Sequence, residues 1–269
     1  MTIVVWNIAR GYHPGEICDF LAELKADVYL LSEVDRGNRR TRSVDMFQLL
    51  EESLGLPGRF AVEFEEKESV WRTLIPQGGP GGGVHGNAVF SRFPIKNYRE
   101  FRLPTGDPLH WKGTTIVPEL FEPRNGSRVA QVFESEVGET AISFVNTHLE
   151  NWRCAWELRR RQLETALSDV RGTETVVGGD MNCLGGILWT VGRKRPVNRE
   201  VPILRGYLAE KGLRDPWPDT AYTNFNYGVR SKLDRLCFSP GLEVVKKESL
   251  RTGLSDHNCL SATVRAIRP

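Results

Sequence analysis

Short aliphatic and β-branched runs recur along this 269-residue chain, and each has an acid, an amide or a histidine at its end. Asn7 follows IVVW, Glu33 follows VYLLS and His148 follows ISFVNT; Asp180 and Asn182 follow TVVGG, and Asp256 and His257 precede CLSATV. Runs of this kind read as buried strands. A strand end is a rigid support from which a side chain can project into a shared cleft. The pattern therefore predicts one site assembled from distant segments.

Helices and hairpins connect these runs. Glu16 to Lys25 places Ile17, Phe20, Leu21 and Leu24 on one helical face, and Val44 to Leu54 is a helix ended by Gly55 and Pro57. Cys154 to Val170 reads as a long helix with Trp156, Leu163, Leu167 and Val170 on its apolar side, and Ile203 to Lys211 as a shorter one. Strands are expected at Thr2–Trp6, Val28–Leu31, Asn87–Ser91, Arg128–Glu134, Thr140–Asn146, Thr175–Val177, Lys232–Ser239, Leu242–Glu248 and Cys259–Ala266. Such a mixture implies sheets packed face to face with helices outside. Glu65 to Gly86 and Leu184 to Glu200 are the two long irregular segments, a length that usually marks function or mobility.

With 40% apolar and 26% charged residues, residues 1–269 are expected to form a single domain that buries its core without staples. The five cysteines are odd in number and scattered, which reads as reduced thiols. No signal peptide or membrane span is visible after Met1, so a cytoplasmic location is expected. A net charge of +2 neither requires nor forbids a polyanionic partner, so attraction to phosphate must come from local clusters.

The residue types at the strand ends suit hydrolysis of a phosphoester. Hard cations take oxygen ligands from one or two carboxylates. Histidines and an Asp-x-Asn pair add a proton donor, a base that positions water and an oxyanion donor. Taken singly, each residue has a plainer reading: Asn7 a turn residue, His148 a structural histidine, Asp234 half of an ion pair with Arg235 or Lys232.

The segments WNIARG, LLSEVDRG, HGNAVFSRFPI, NTHLEN, GGDMNC, KLDRLCFS and LSDHNCL resemble, in order, the motifs of the endonuclease/exonuclease/phosphatase superfamily. That group includes DNase I-like nucleases, abasic-site endonucleases, sphingomyelinases and inositol-polyphosphate 5-phosphatases. The likeness runs from residue 3 to about residue 265. It implies a four-layered α/β sandwich, two packed mixed β-sheets flanked by helices, with a Mg²⁺ or Mn²⁺ site at one edge. By position, Asn7, Glu33 and Asp256 would hold the metal. Asp180 would activate water, Asn182 would bond that water or the phosphate, and His257 would stabilise the phosphorane with Asp234 fixing its tautomer. His148 would assist phosphate binding or protonate the leaving group, Arg124 would contact phosphate, and Asn87 would stand in the cleft wall.

The chain carries three basic clusters, two of which bear on the substrate. Arg36, Arg39, Arg40 and Arg42 follow Glu33, and Arg193, Lys194, Arg195 and Arg199 follow GDMN with Trp189 beside them, so both are expected to border the cleft. Basic loops with an aromatic residue suit a nucleic-acid groove, which points to a nuclease. They also suit a lipid headgroup, an inositol phosphate or a nucleotide, and an inactive binding module of the same fold is a further alternative. Arg159 to Arg161 read as a solvated helix face. QGGPGGGVHG, residues 77–86, lacks the Gly-Lys-Ser/Thr ending of a phosphate loop and reads as a flexible loop with His85 exposed.

Overall fold

Alternation along the first strand sets the layering. In β1 (Thr2–Arg10), Ile3 and Val5 point to one face and Val4, Trp6 and Ile8 to the other, and all are buried. A strand apolar on both faces needs cover on both, and the computed structural model supplies it with a second sheet on one side and helices on the other. It describes residues 1–68, 80–106, 124–151, 156–172, 174–183, 200–226 and 229–267.

The remaining strands are β2 (Val28–Arg36), β3 (Gly58–Glu66), β4 (Val84–Ser91), β5 (Lys96–Arg102), β6 (Arg124–Gly126), β7 (Val129–Val137) and β8 (Thr140–His148). β9 (Glu174–Asp180), β10 (Asn224–Asn226), β11 (Val229–Ser231), β12 (Asp234–Phe238), β13 (Leu242–Leu250) and β14 (Cys259–Ala266) follow. One sheet runs β13-β14-β1-β2-β4-β3-β6 and the other β12-β9-β8-β7-β5, with β10-β11 a separate ribbon. The β1–β2 and β8–β9 pairs are parallel. A parallel pair needs a crossover, which α1 (Pro14–Leu24) and α3 (Trp156–Ala166) provide.

Ile3, Val5, Leu30, Val89, Phe133, Phe144, Val176 and Leu236 form the core between the sheets. Val4, Trp6, Ile17, Leu21, Leu31, Leu50 and Phe90 form a second core beneath α1 and α2 (Met46–Leu54). Val132, Val145, Leu163, Val177, Leu204 and Leu208 form a third beneath α3 and α4 (Glu200–Glu210). These are the four layers expected from the sequence. Buried Asn146 ties the sheets together: its amide donates to the Leu31 carbonyl at 3.0 Å and the Ala88 carbonyl at 3.3 Å in the opposite sheet.

Of the helix signals, the Gly55 stop is as expected from the sequence, and the structure adds two at the N-termini. The Asp45 side chain caps α2 by accepting the Gln48 N–H at 3.1 Å, and Gly55 ends it with φ +60°. Pro14 opens α1 with its φ pre-set for a helix. Among the described residues, no helix is long and apolar enough to cross a membrane.

Candidate active site

Strand register brings the polar ends together. In the second sheet Asp180 pairs with His148 on β8 and with Asp234 on β12, so the three stand side by side at one sheet edge. Asn7 and Glu33 come from the ends of β1 and β2 in the facing sheet, and Asp256 and His257 immediately precede β14. The Asn7 amide joins the two groups by donating to Glu33 Oε1 at 3.2 Å and Asp180 Oδ2 at 3.1 Å. Asn182 turns back after β9 with φ +49°; its backbone N–H donates to Asp180 Oδ1 at 2.9 Å and its amide to the Leu149 carbonyl at 3.0 Å.

Local backbone shape aims these groups. Glu33 has φ +56° inside β2, where the pairing of β2 with β4 shifts register. Left-handed backbone at a non-glycine residue costs of order 1–3 kcal/mol and persists where the surroundings enforce it. Glycines 178 and 179 let β9 lie close to its neighbours. A methyl at 178 would meet Val5 of the facing sheet, and one at 179 would drive into the Thr147 carbonyl.

Two histidines flank Asp180. His257 Nε2 lies 3.8 Å from Asp180 Oδ2, and its Nδ1 donates to Asp234 Oδ2 at 2.7 Å. Burial opposes a charge on His257, but Asp234, Asp180 and Asp256 outweigh it and raise its pKa to about 10. His148 Nε2 lies 3.7 Å from the same oxygen, while its Nδ1 faces Arg128 Nη1 at 2.9 Å. A guanidinium only donates, so Nδ1 accepts and the proton of the neutral ring sits on Nε2. Burial and the Arg128 charge hold the His148 pKa well below the ordinary histidine value. Burial, reinforced by Asp234, lifts Asp180 to about 7 against the pull of His257. Burial also pushes Glu33 up, but His85, Arg10 and His257 prevail and keep its carboxyl below the usual value.

Asp180, Asp234 and His257 each place a donor atom within 4.8 Å of the others. Asp234 and His257 already satisfy one another, so this trio is a hydrogen-bonded relay before it is a cage. Asp256 is more open, with its side chain 36% exposed and one oxygen accepting from Asn224 Nδ2 at 3.2 Å. It and Glu33 supply carboxylate oxygens of the kind a hard cation takes, while the Asn7 side-chain carbonyl oxygen accepts the Ala9 N–H at 3.0 Å.

The sequence profile of the Endonuclease/Exonuclease/phosphatase family matches residues 4–257. The chain belongs to that family. Its members are phosphoester hydrolases, and the fold of solved relatives agrees. An endonuclease/exonuclease/phosphatase from Beutenbergia cavernae is 19% identical with a TM-score of 0.73, over 99% of this chain and 71% of that one. The human Nocturnin catalytic domain is 20% identical with a TM-score of 0.65, over 99% and 93%. D. rerio TDP2, complexed with a single-strand DNA product, is 16% identical with a TM-score of 0.64, over 99% of both chains. No curated protein shows significant sequence similarity.

Some expectations for this family site change in the structure. His85 is buried, not exposed: its Nδ1 contacts Asp35 at 2.7 Å and its ring stacks on Phe64. Arg40 is not available to a cleft, because it is buried against Asp35 at 2.8 Å and against Glu66. Burial pushes Asp35 up, yet hydrogen bonds from Arg40 and His85 hold its carboxyl far below the usual range. Arg36 pairs with Asp45 at 2.7 Å and Arg39 with Glu68 at 2.7 Å, so the first basic cluster is largely neutralised by its own neighbours. Arg159 is fully buried against Glu200, so that helix face is not uniformly solvated. Lys232 and Arg235 share Asp215 at 2.7 Å each, which leaves Asp234 to His257.

Arg124 sits over the Phe64 ring at 5.0 Å. The arginine that reaches His148 is Arg128, held by Glu63 at 2.7 Å and with Glu150 at 3.8 Å. Asn87 is buried behind this group, donating to Glu63 Oε1 at 3.2 Å and the Val129 carbonyl at 3.0 Å. The missed residues are thus Glu63, Arg128 and Glu150. Arg128 lies in the segment that drew attention to Arg124, and Glu63 in a strand that its acids concealed. Trp189, Arg193, Lys194, Arg195, Arg199 and His110 lie outside the described residues.

Proposed function

We propose that this protein is a divalent-metal-dependent phosphodiesterase that cleaves nucleic acid by in-line attack of an activated water. One observation carries the reading: the buried Asp180 carboxyl stands between two histidine Nε2 atoms at 3.7 and 3.8 Å. Burial raises the pKa of this carboxyl, which suits it to accept a water proton. His257, kept cationic by Asp234, then stabilises charge gathering on the phosphoryl oxygens. Neutral His148 offers an Nε2–H to the phosphate or the departing oxygen. Asn182, anchored to Leu149, steadies the water or the phosphate. Glu33 with Asp256 and Asn7 would hold Mg²⁺ or Mn²⁺, which when bound neutralises charge on the phosphoryl group.

The nucleic-acid assignment draws on Arg193, Lys194 and Arg195 beside Trp189 in the sequence, and on the likeness to TDP2. The internal pairing of Arg36, Arg39 and Arg40 favours a second reading, a small phosphoester. The test is a panel of plasmid, single-stranded DNA, RNA, sphingomyelin and bis-p-nitrophenyl phosphate, with and without EDTA. Cleavage of the polynucleotides that stops in EDTA and weakens steeply with salt is expected. Activity that survives EDTA would remove the metal from the mechanism, and cleavage of only the small esters, indifferent to salt, would favour the second reading.

A further inference from the structure

Beyond Asp256 the cleft continues into a recess of about 490 Å³ that reaches the start of α1 and is lined by Tyr12, His13, Phe225, Arg251 and Asp256 among others. Of its lining residues, only Asp256 has a role above. Its volume falls in the range of about 300–1,000 Å³ that small-molecule sites occupy. Arg251 sits over the Phe225 ring at 5.0 Å, and Arg230 approaches that ring at 6.0 Å and the Tyr222 ring at 4.9 Å. Both arginines are exposed, and neither has a carboxylate partner among the described residues. This sets them apart from Arg36, Arg40, Arg128 and Arg235, each held by an acid.

A guanidinium resting on an aromatic ring is ordered without being neutralised. Its outer plane can stack a base and its edge can bond a phosphate. We infer that this recess seats the nucleotide adjoining the scissile phosphate, with Arg251 stacking its base beside Tyr12 and His13 and with Arg230 drawing its phosphate. The inference rests on the phosphodiesterase reading only for the position of that nucleotide relative to the bond cleaved. A sugar or polyol phosphate would use the charge and leave the aromatic lining idle.

Fluorescein-labelled thymidine trinucleotide, titrated by anisotropy in Ca²⁺, should bind about tenfold more weakly to Arg251→Gln, and more weakly still to the Arg230→Gln/Arg251→Gln double variant. Arg251→Lys, which keeps the charge and loses the plane, should recover only part of the affinity. AMP should compete at least tenfold better than ribose 5-phosphate. In hydrolysis, Arg251→Gln should lose at least tenfold more kcat/KM on the trinucleotide than on bis-p-nitrophenyl phosphate, chiefly through KM. Undetectable wild-type binding, full rescue by lysine, equal competition by the two phosphates, or equal loss on both esters would each overturn the recess. Arg251-dependent binding in a wild type that hydrolyses no ester would keep the recess and refute the phosphodiesterase reading.

Discussion

His148 and His257 stand on opposite sides of one carboxylate, nearly equidistant from it, and differ in charge: His148 is neutral and His257 cationic. Both rings are buried, so solvation does not separate them. What differs is the partner at Nδ1: a guanidinium that can only donate, or a carboxylate that can only accept. Each partner fixes tautomer and charge together. A phosphoryl group between the rings would meet a cation on one side and a neutral donor on the other.

The largest disturbance should come from the shared carboxylate. Asp180→Asn removes the acceptor without changing its shape, and kcat should fall by roughly 10²–10⁴-fold while circular dichroism stays unchanged. Near-normal turnover in a folded variant would sink the site assignment.

Asp234→Asn attacks one side of the comparison, and a loss of about 10²-fold in kcat is expected. The sign of its pH effect follows from the raised pKa. Stability contributed by charged His257 is complete below the unfolded histidine value of about 6.5 and fades as pH rises through about 10. In the variant that alkaline loss should shrink, because His257 loses the largest of the charges that raise its pKa. Urea denaturation at pH 6, 8 and 10 reads it directly, and a parallel decline in both proteins would contradict it.

Arg128→Met attacks the other side. It leaves Glu63 buried without its cation, so stability should drop by about 3–5 kcal/mol. Arg128→Lys preserves the charge if methionine prevents folding. In the methionine variant the ring resonances of His148 should titrate at higher pH than in wild type, and kcat should fall by about tenfold. Unchanged titration would mean that Arg128 does not set the asymmetry. Glu150→Gln should do least: at 3.8 Å from Arg128 it is beyond hydrogen-bond reach, and kcat should stay within about threefold.

Position at a strand end was legible from the sequence, whereas the identity of a buried partner was not. Asp180, Asn182, Asp256 and His257 could be placed at strand ends because an apolar run announces each one. Arg128 and Glu63 lie 65 residues apart, and nothing local says that one neutralises the other. The same blindness read His85 as exposed and Arg40 as bordering the cleft, when Asp35 in fact draws both inward. β3 went unrecognised because Glu63 and Glu66, both buried, break the apolar alternation that marks a strand. Periodicity reports burial only where burial is apolar, and this fold hides several of its charges.

The close packing at Gly178 couples the hydrophobic interior to the strand that carries Asp180. Because the Gly178 backbone rests against Val5 and Leu30 of the facing sheet, no spare volume separates the hydrophobic interior from the strand that ends in Asp180. A routine stabilising change such as Val5→Ile would press on that strand. Substitutions that reshape the interior at this seam are therefore expected to shift the Asp180 carboxylate as well as to strain the core.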